Sequence, residues 1–409
     1  MKDYFIGIDV GSSKVCAALG KVDNYGSFQV VGVTSLRCSA LSKAVVVDID
    51  AAAEVIKECI NKLEAVTHSP IKNVILGFPG GLCDLSNSKG IISIDSEDCK
   101  ITEKDVEKVQ DTAKNISISD DKEIIGVIPK NYTIDNNIKV SNPMGMKSTK
   151  LELDGDIVLA DSRPIVNLLL SMERAGIVPD EVMIQPVAQK ALLLKNELDS
   201  CTALVDVGAD VVDFSIYKGG NICYTNLIPL GGSNITNDIS KCLDISLTDA
   251  EKIKIKYGDV FIEHRDEEIK IESSYGEVKS LSRATLTDII SARVEEILSF
   301  ILAEMKLSGY YNDIEVVVIT GGGISMFEHI STLSTSILHK SVRMVVPDID
   351  EISNTTNTTA ISIVKNKINF FSTSNNISRN ESTKKSEESK KIKEKKFGWK
   401  IRELLDEFF

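Results

Sequence analysis

The chain has 409 residues, 43% hydrophobic and 26% charged, an ordinary globular composition that excludes a wholly disordered or collagen-like polypeptide. Its formal net charge of −13 argues against a bulk nucleic-acid binder. No apolar run reaches the ~18 residues that a spanning helix needs, so a polytopic membrane protein is excluded too. The first residues enter an apolar strand at once, and no signal peptide is expected. Eight cysteines stand singly with no Cys-x-x-Cys pair, and there are only four histidines, so a zinc site is not expected. Their mostly apolar surroundings suit reduced core cysteines of a cytosolic protein.

In chain order, Tyr4–Val10 and Val15–Leu19 are short apolar, β-rich runs around a Gly-Ser-Ser turn, which predicts a hairpin. Phe28–Leu36 reads as a third strand. Ile49–Ala65 has helical spacing, with Ala53, Ile56, Ile60 and Leu63 on one face. Asn73–Phe78 is a strand. Leu82–Val158 is polar and loop-rich, with a helix at Glu103–Lys114 and strands at Ile124–Ile128 and Leu151–Val158, and reads as a small inserted domain. Ser162–Ala175 is a helix with Asp161 or Ser162 as N-cap and Pro164 in its first turn. Thr202–Asp206 is a buried strand that turns back into Val211–Tyr217. Leu286–Met305 is a long helix, and the β-branched run Glu315–Thr320 ends in Gly321-Gly322-Gly323. Strands alternating with helices, with hairpins beside crossovers, predict an α/β protein with mixed sheets.

A near-repeat carries the chemistry. Asp9-Val10-Gly11 follows one apolar strand and opens a hairpin; Asp206-Val207-Gly208 does the same 197 residues later. Two such units suggest a duplicated domain facing itself across a cleft. Glycine lets the backbone approach a phosphate, successive turn amides make an anion-binding concavity, and two aspartates would hold a hydrated Mg²⁺ between them. Ser12, Ser13 and Lys14 add hydroxyl donors and one compensating charge. Neither a P-loop nor a Gly-x-Gly-x-x-Gly motif occurs.

Asp9–Lys14, Asp206–Asp213 and Val316–Gly323 resemble the phosphate-1, phosphate-2 and adenosine motifs of the actin-like ATPase superfamily. Within it the chain resembles the FtsA family of bacterial cell-division proteins over about residues 3–365. The more specific stretches are Val127–Lys130 through Asn142–Met146, Pro229–Ile239 and Asp249–Gly258. The resemblance implies an actin-like, duplicated ribonuclease-H-like, two-lobed fold with an inserted subdomain, and a disordered tail ending in an amphipathic helix. The implied boundaries are 1–81 with 159–183 for subdomain IA, 82–158 for the insert 1C, 184–243 with 303–371 for IIA and 244–302 for IIB. A linker at 372–396 and a membrane-targeting helix at 397–409 complete them.

The resemblance also implies residue roles. Asp9 and Asp206 flank Mg²⁺, while Gly11, Ser12, Ser13, Lys14 and Gly208 line the phosphates of ATP. Glu251 and Lys254 take the ribose-contacting positions, and Gly231, Gly232, Gly321, Gly322 and Gly323 form the adenosine floor. Gln185 stands where the superfamily orients its attacking water, so Gln185 and Asp206 are the catalytic candidates. At phosphate-2 the family commonly carries Gly-Gly-Thr-Thr where this chain has Ala209, Asp210, Val211 and Val212. Two hydroxyls are gone and a carboxylate is added near a polyphosphate, which at ~4–6 Å is unfavourable by up to a few kcal/mol. Nucleotide binding with slow or negligible hydrolysis is therefore expected.

The tail differs in charge from the body: residues 372–409 carry ten Lys/Arg and seven Asp/Glu, net +3. At 100° per residue Ile401, Leu404, Leu405 and Phe408 share a ~100° arc, joined by Phe397, with Trp399 at an interfacial position. Lys390–Lys400, with six Lys and one Glu, precedes them. A basic run and an amphipathic helix on a tether suit an in-plane anchor on an anionic membrane surface; docking of the tail on the body or on a partner protein is the alternative. The family resemblance implies a peripheral protein on the cytoplasmic side of the membrane at the division site. It implies self-association into filaments, contact of the FtsZ C-terminal tail with about Asp244–Leu302, and other division partners. A PilM-like scaffold of a pilus or secretion system and a small-molecule kinase of the same superfamily are the other readings.

Overall fold

The structure is a computed structural model and describes residues 4–22, 28–68, 71, 74–96, 98–135, 137–261, 267–272, 278–345 and 357–378. Two five-stranded mixed sheets have the same topology. In the first, the order is Glu181–Ile184, Val74–Phe78, Tyr4–Val10, Lys14–Val22 and Phe28–Arg37. In the second it is Ser341–Met344, Val316–Thr320, Cys201–Val207, Val212–Lys218 and Asn221–Ile228. Each sheet is an antiparallel three-strand meander extended by two parallel strands that arrive through helical crossovers.

The duplication extends to register. Asp9 pairs with Cys16 and Val10 with Val15 in the first hairpin, as Asp206 pairs with Asp213 and Val207 with Val212 in the second. Both turns close on the same bond, Gly11 N to Lys14 O and Gly208 N to Val211 O, each 2.9 Å.

The predicted helices form for the reason their spacing gives. Helix Ile49–Thr67 buries Ala52, Ala53, Ile56, Cys59, Ile60 and Leu63 against the first sheet. Helix Arg283–Leu307 buries Leu286, Ile290, Val294, Ile297, Ile301 and Met305 at intervals of three and four in the second-lobe core. Five cysteines (16, 38, 59, 83 and 201) are buried, and all eight are free thiols, although Cys242 is exposed. No helix among the described residues is long and apolar enough to cross a membrane.

The insert is richer in strand than its polar composition predicts. Cys83–Ser93, Lys150–Asp161, Lys122–Ile134 and Ile138–Val140 form a four-stranded antiparallel sheet. Helix Glu103–Ala113 packs on it over a separate core that includes Ile92, Ile101, Val109, Tyr132 and Leu151. Pro129 marks where the expected strand ends, because proline removes a ladder donor. The structure accommodates it at a bulge, where the register shifts beside Gly155, and the strand runs on to Ile134.

The C-terminal part departs most from the sequence expectation. The sequence reading names no helix at Thr358–Ser378 and places 303–371 in the second lobe, whereas this helix forms and its first half packs on the first sheet. Its Asn, Thr and β-branched residues have weak helix propensity. Burial of Ala360, Ile361, Val364 and Ile368 against Phe5, Cys16 and Ala18 outweighs that. Once nucleated, a helix extends at one bond per residue fixed, and it continues to Ser378, through the first residues of the expected linker. The rest of that linker, with Phe397, Trp399, Ile401, Leu404, Leu405 and Phe408, lies outside the described residues.

Candidate functional site

The two hairpin turns meet at the short helix Gln185–Gln189, which follows strand Glu181–Ile184. Residues four apart share a helix face. Here Gln185 Nε2 donates to Asp9 Oδ1 at 2.8 Å, and Gln189 Nε2 donates to Asp206 Oδ2. One helical turn thus presents an amide to each of the two aspartates. The Tyr217 hydroxyl, from the second lobe, donates to Pro186 O at 2.6 Å and fixes this helix between the lobes.

The electrostatics agree with that convergence. Burial first, and then the Asp206 charge, push the Asp9 carboxyl up to about 6. Asp206 is itself held above its ordinary range by burial. Asp213, opposite Asp206 in the hairpin, is pushed up to about 7 by burial and then by Asp206. Its Oδ2 accepts from Gly80 N at 2.8 Å in the loop that enters the insert, and its buried Oδ1 has no hydrogen-bond partner among the described residues. Lys14 is the nearby cation: it faces the charges of both Asp9 and Asp206, while burial lowers its pKa.

A stability prediction follows for the protein without bound metal. An acid whose folded pKa is raised binds its proton more tightly in the folded state. Its favourable contribution is complete below about pH 4 and is lost as pH rises through about 6 for Asp9 and about 7 for Asp213. In EDTA the melting temperature of an Asp213→Asn chain should therefore fall less between pH 5.5 and 8 than that of the parent, by differential scanning calorimetry. Equal falls would contradict the assignment.

The second lobe contributes backbone. Gly232 N donates to Gly208 O at 2.9 Å, Ser233 N to Ala209 O at 2.7 Å and Gly323 N to Val207 O at 2.8 Å. These bonds gather Gly208, Gly231, Gly232 and the 321–323 turn around one point. Gly321 has φ +92°, and a Cβ there would lie 2.3 Å from Asp206 Oδ1 and 2.4 Å from Val207 O, so only glycine fits. Under the start of helix Gly232–Leu243, buried Lys254 donates to Gly232 O at 3.1 Å and to Thr236 Oγ1 at 2.9 Å. It pairs with Glu251 at 2.7 Å, and Thr236 also bonds Glu251. Lys254 is thus seated beneath the glycine turns, while the Glu251 side chain keeps one side open to solvent.

Most of the sequence candidates therefore converge: Asp9, Lys14, Gln185 and Asp206 in one polar cluster, and Gly208, Gly231, Gly232, Glu251, Lys254, Gly321 and Gly323 in the adjoining one. Gly11 and Ser12 sit in the first turn, where Ser12 Oγ accepts from Ala44 N at 3.2 Å, and Ser13 and Gly322 are exposed. One inference from phosphate-2 changes. Val212 is fully buried in the second-lobe core, so a hydroxyl there would face apolar side chains, not a phosphate. Sequence reasoning missed Gln189, Asp213, Asn357 and Thr359. The four-residue step from Gln185 could have flagged Gln189, and the hairpin register could have flagged Asp213. Asn357 and Thr359 had no local signal.

Comparison with known proteins gives the lineage. The family model described as cell division protein FtsA matches residues 203–362, and that of the SHS2 domain inserted in FtsA matches residues 80–159. The cell division protein FtsA of Neisseria meningitidis serogroup B is 32% identical over 349 residues, 84% of this chain and 84% of that protein. Among solved structures, the PilM–PilN type IV pilus biogenesis complex aligns with TM-score 0.61 at 16% identity, covering 90% of this chain and 98% of that one. MreB 5 of Spiroplasma citri bound to AMPPNP aligns with TM-score 0.50 at 14% identity, covering 93% and 100%. At such identities the structural likenesses speak for the fold alone. With 32% identity over most of both sequences, an FtsA-type insert and two lobes of matching topology, the chain belongs to the FtsA family of cell-division proteins and has the actin-like fold.

Proposed function

We propose that this protein binds Mg-ATP between its two hairpin turns, hydrolyses it slowly or not at all, and assembles on the cytoplasmic membrane, where it tethers FtsZ filaments. The observation that carries the nucleotide reading is the pair of hairpins in identical register, with both aspartates joined to one short helix.

The residues fit the ligand. Asp9 and Asp206 are hard oxygen donors of the kind Mg²⁺ takes, usually through its waters. Burial and mutual repulsion make their ionised forms costly, and Asp213 Oδ1, which has no hydrogen-bond partner among the described residues, adds acceptor capacity. A bound magnesium ion supplies charge that offsets this repulsion and that of the phosphates. Gly11, Ser12, Ser13, Lys14 and Gly208 would line the phosphates. Glu251 and Lys254, with Gly231, Gly232, Gly321, Gly322 and Gly323, would take the nucleoside. Gln185 would hold Asp9 in place and, from there, orient a water. That a protein with this fold was obtained bound to AMPPNP supports a nucleotide as the ligand.

Membership of the FtsA family supports FtsZ as the partner, with residues 244–302 as the contacted part, and supports self-association. The basic, amphipathic sequence of 390–409 supports the membrane surface. Fluorescence anisotropy with a labelled peptide of the FtsZ C-terminal tail tests the partner. Saturable binding that unlabelled peptide reverses is expected. No binding at peptide concentrations of hundreds of micromolar would favour a PilM-like scaffold.

A further inference from the structure

The C-terminal helix begins inside the candidate cleft. Asn357, just before helix Thr358–Ser378, accepts from Lys14 Nζ at 3.0 Å through Oδ1. Thr359 Oγ1 donates to Asp206 Oδ2 at 3.4 Å and accepts from Gln189 Nε2 at 3.3 Å. The helix start is thus bonded to the lysine of the first-lobe turn and to the aspartate of the second-lobe turn. Asn357, Thr358 and Thr359 are all buried.

Beyond this start the helix lies tightly on the first sheet. A Cβ at Gly7 would come within 2.5 Å of Ala360 O, so the strand and helix backbones are nearly in contact. Lys367 pairs with Glu181, and Asn366 Nδ2 donates to Val187 O at 2.9 Å, which ties the helix to the strand before Gln185 and to the short helix that contains it. In sequence, the same helix leads into the basic, amphipathic terminal segment.

We propose that Asn357 and Thr359 form a latch, through which filling of the cleft is communicated to the C-terminal helix. This rests on the Mg-ATP reading above. A phosphate competes with Asn357 for the Lys14 ammonium, because a charge-assisted bond to an anion is stronger than one to a neutral amide oxygen. A cation competes with Thr359 and Gln189 for the Asp206 carboxylate. Ligand binding and the latch draw on the same two groups, so linkage makes them oppose each other. Mg-ATP loosens the first turn of the helix, and loss of the latch tightens Mg-ATP binding.

Hydrogen–deuterium exchange on the full chain, with and without Mg-ATP, tests this alongside nucleotide affinity from a fluorescent ATP analogue. For the parent, peptides spanning 357–368 should exchange several-fold faster in Mg-ATP. Asn357→Ala and Thr359→Val should exchange fast without ligand, show little further response and bind two- to threefold tighter. Thr359→Ser, which keeps the hydroxyl, should behave as the parent and controls for folding. Parent chain that binds Mg-ATP with unchanged exchange at 357–368 would overturn the latch alone, as would variants that bind more weakly. Absence of Mg-ATP binding by the parent would overturn the nucleotide reading and the latch with it.

Discussion

Asp206→Ala is expected to weaken magnesium-dependent ATP binding by about 10²-fold or more, close to 3 kcal/mol. The substitution removes one of the two proposed cation-holding carboxylates and with it the acceptor that the Gln189 amide and the Thr359 hydroxyl share. A second consequence separates this role from a merely structural one. The Asp206 charge is the largest influence after burial on both Asp9 and Asp213. Without it, both carboxyls should titrate at lower pH, and the loss of stability on going from pH 5.5 to 8 in EDTA should shrink. Calorimetry across that range, with ATP binding measured at each magnesium concentration, tests both. A variant that binds Mg-ATP as tightly as the parent would remove Asp206 from the site.

Truncation after Ser378 should abolish pelleting with vesicles of anionic lipid while leaving the folded body intact. The cut keeps the whole helix Thr358–Ser378, including the part packed on the first sheet, so its melting temperature should match the full chain. The removed residues include the Lys-rich run and the apolar stripe of Phe397, Ile401, Leu404, Leu405 and Phe408. Each buried apolar side chain contributes at most ~1.5–3 kcal/mol, and each lysine near an anionic surface ~1 kcal/mol. Folding of the segment at the interface offsets much of this. One copy should bind weakly, and an assembly of many copies tightly by avidity. Pelleting of the full chain should also fall with added salt. Equal pelleting of the two chains would remove the tail as the anchor.

The two hairpins were legible because apolar β-rich runs, an Asp-x-Gly turn and a return strand are all local signals, and their repetition in one chain is rare. Helix Arg283–Leu307 was legible from periodicity. The insert was under-read because Pro129 looks like a strand end and is tolerated only where the ladder is already irregular. Helix Thr358–Ser378 was illegible because tertiary burial, not propensity, decides its state. That omission also hid Asn357 and Thr359, which reach the cleft only because the helix packs where it does. The Val212 environment was hidden for a related reason: a motif position says which residue is present, and only the pleat says which side it faces.

Equilibrium titration of the full chain with ATP, in magnesium and again in EDTA, tests the central claim most directly. The account predicts one ATP per chain at saturation, with affinity that collapses when magnesium is removed. Failure to bind at millimolar ATP, or binding indifferent to magnesium, would contradict it.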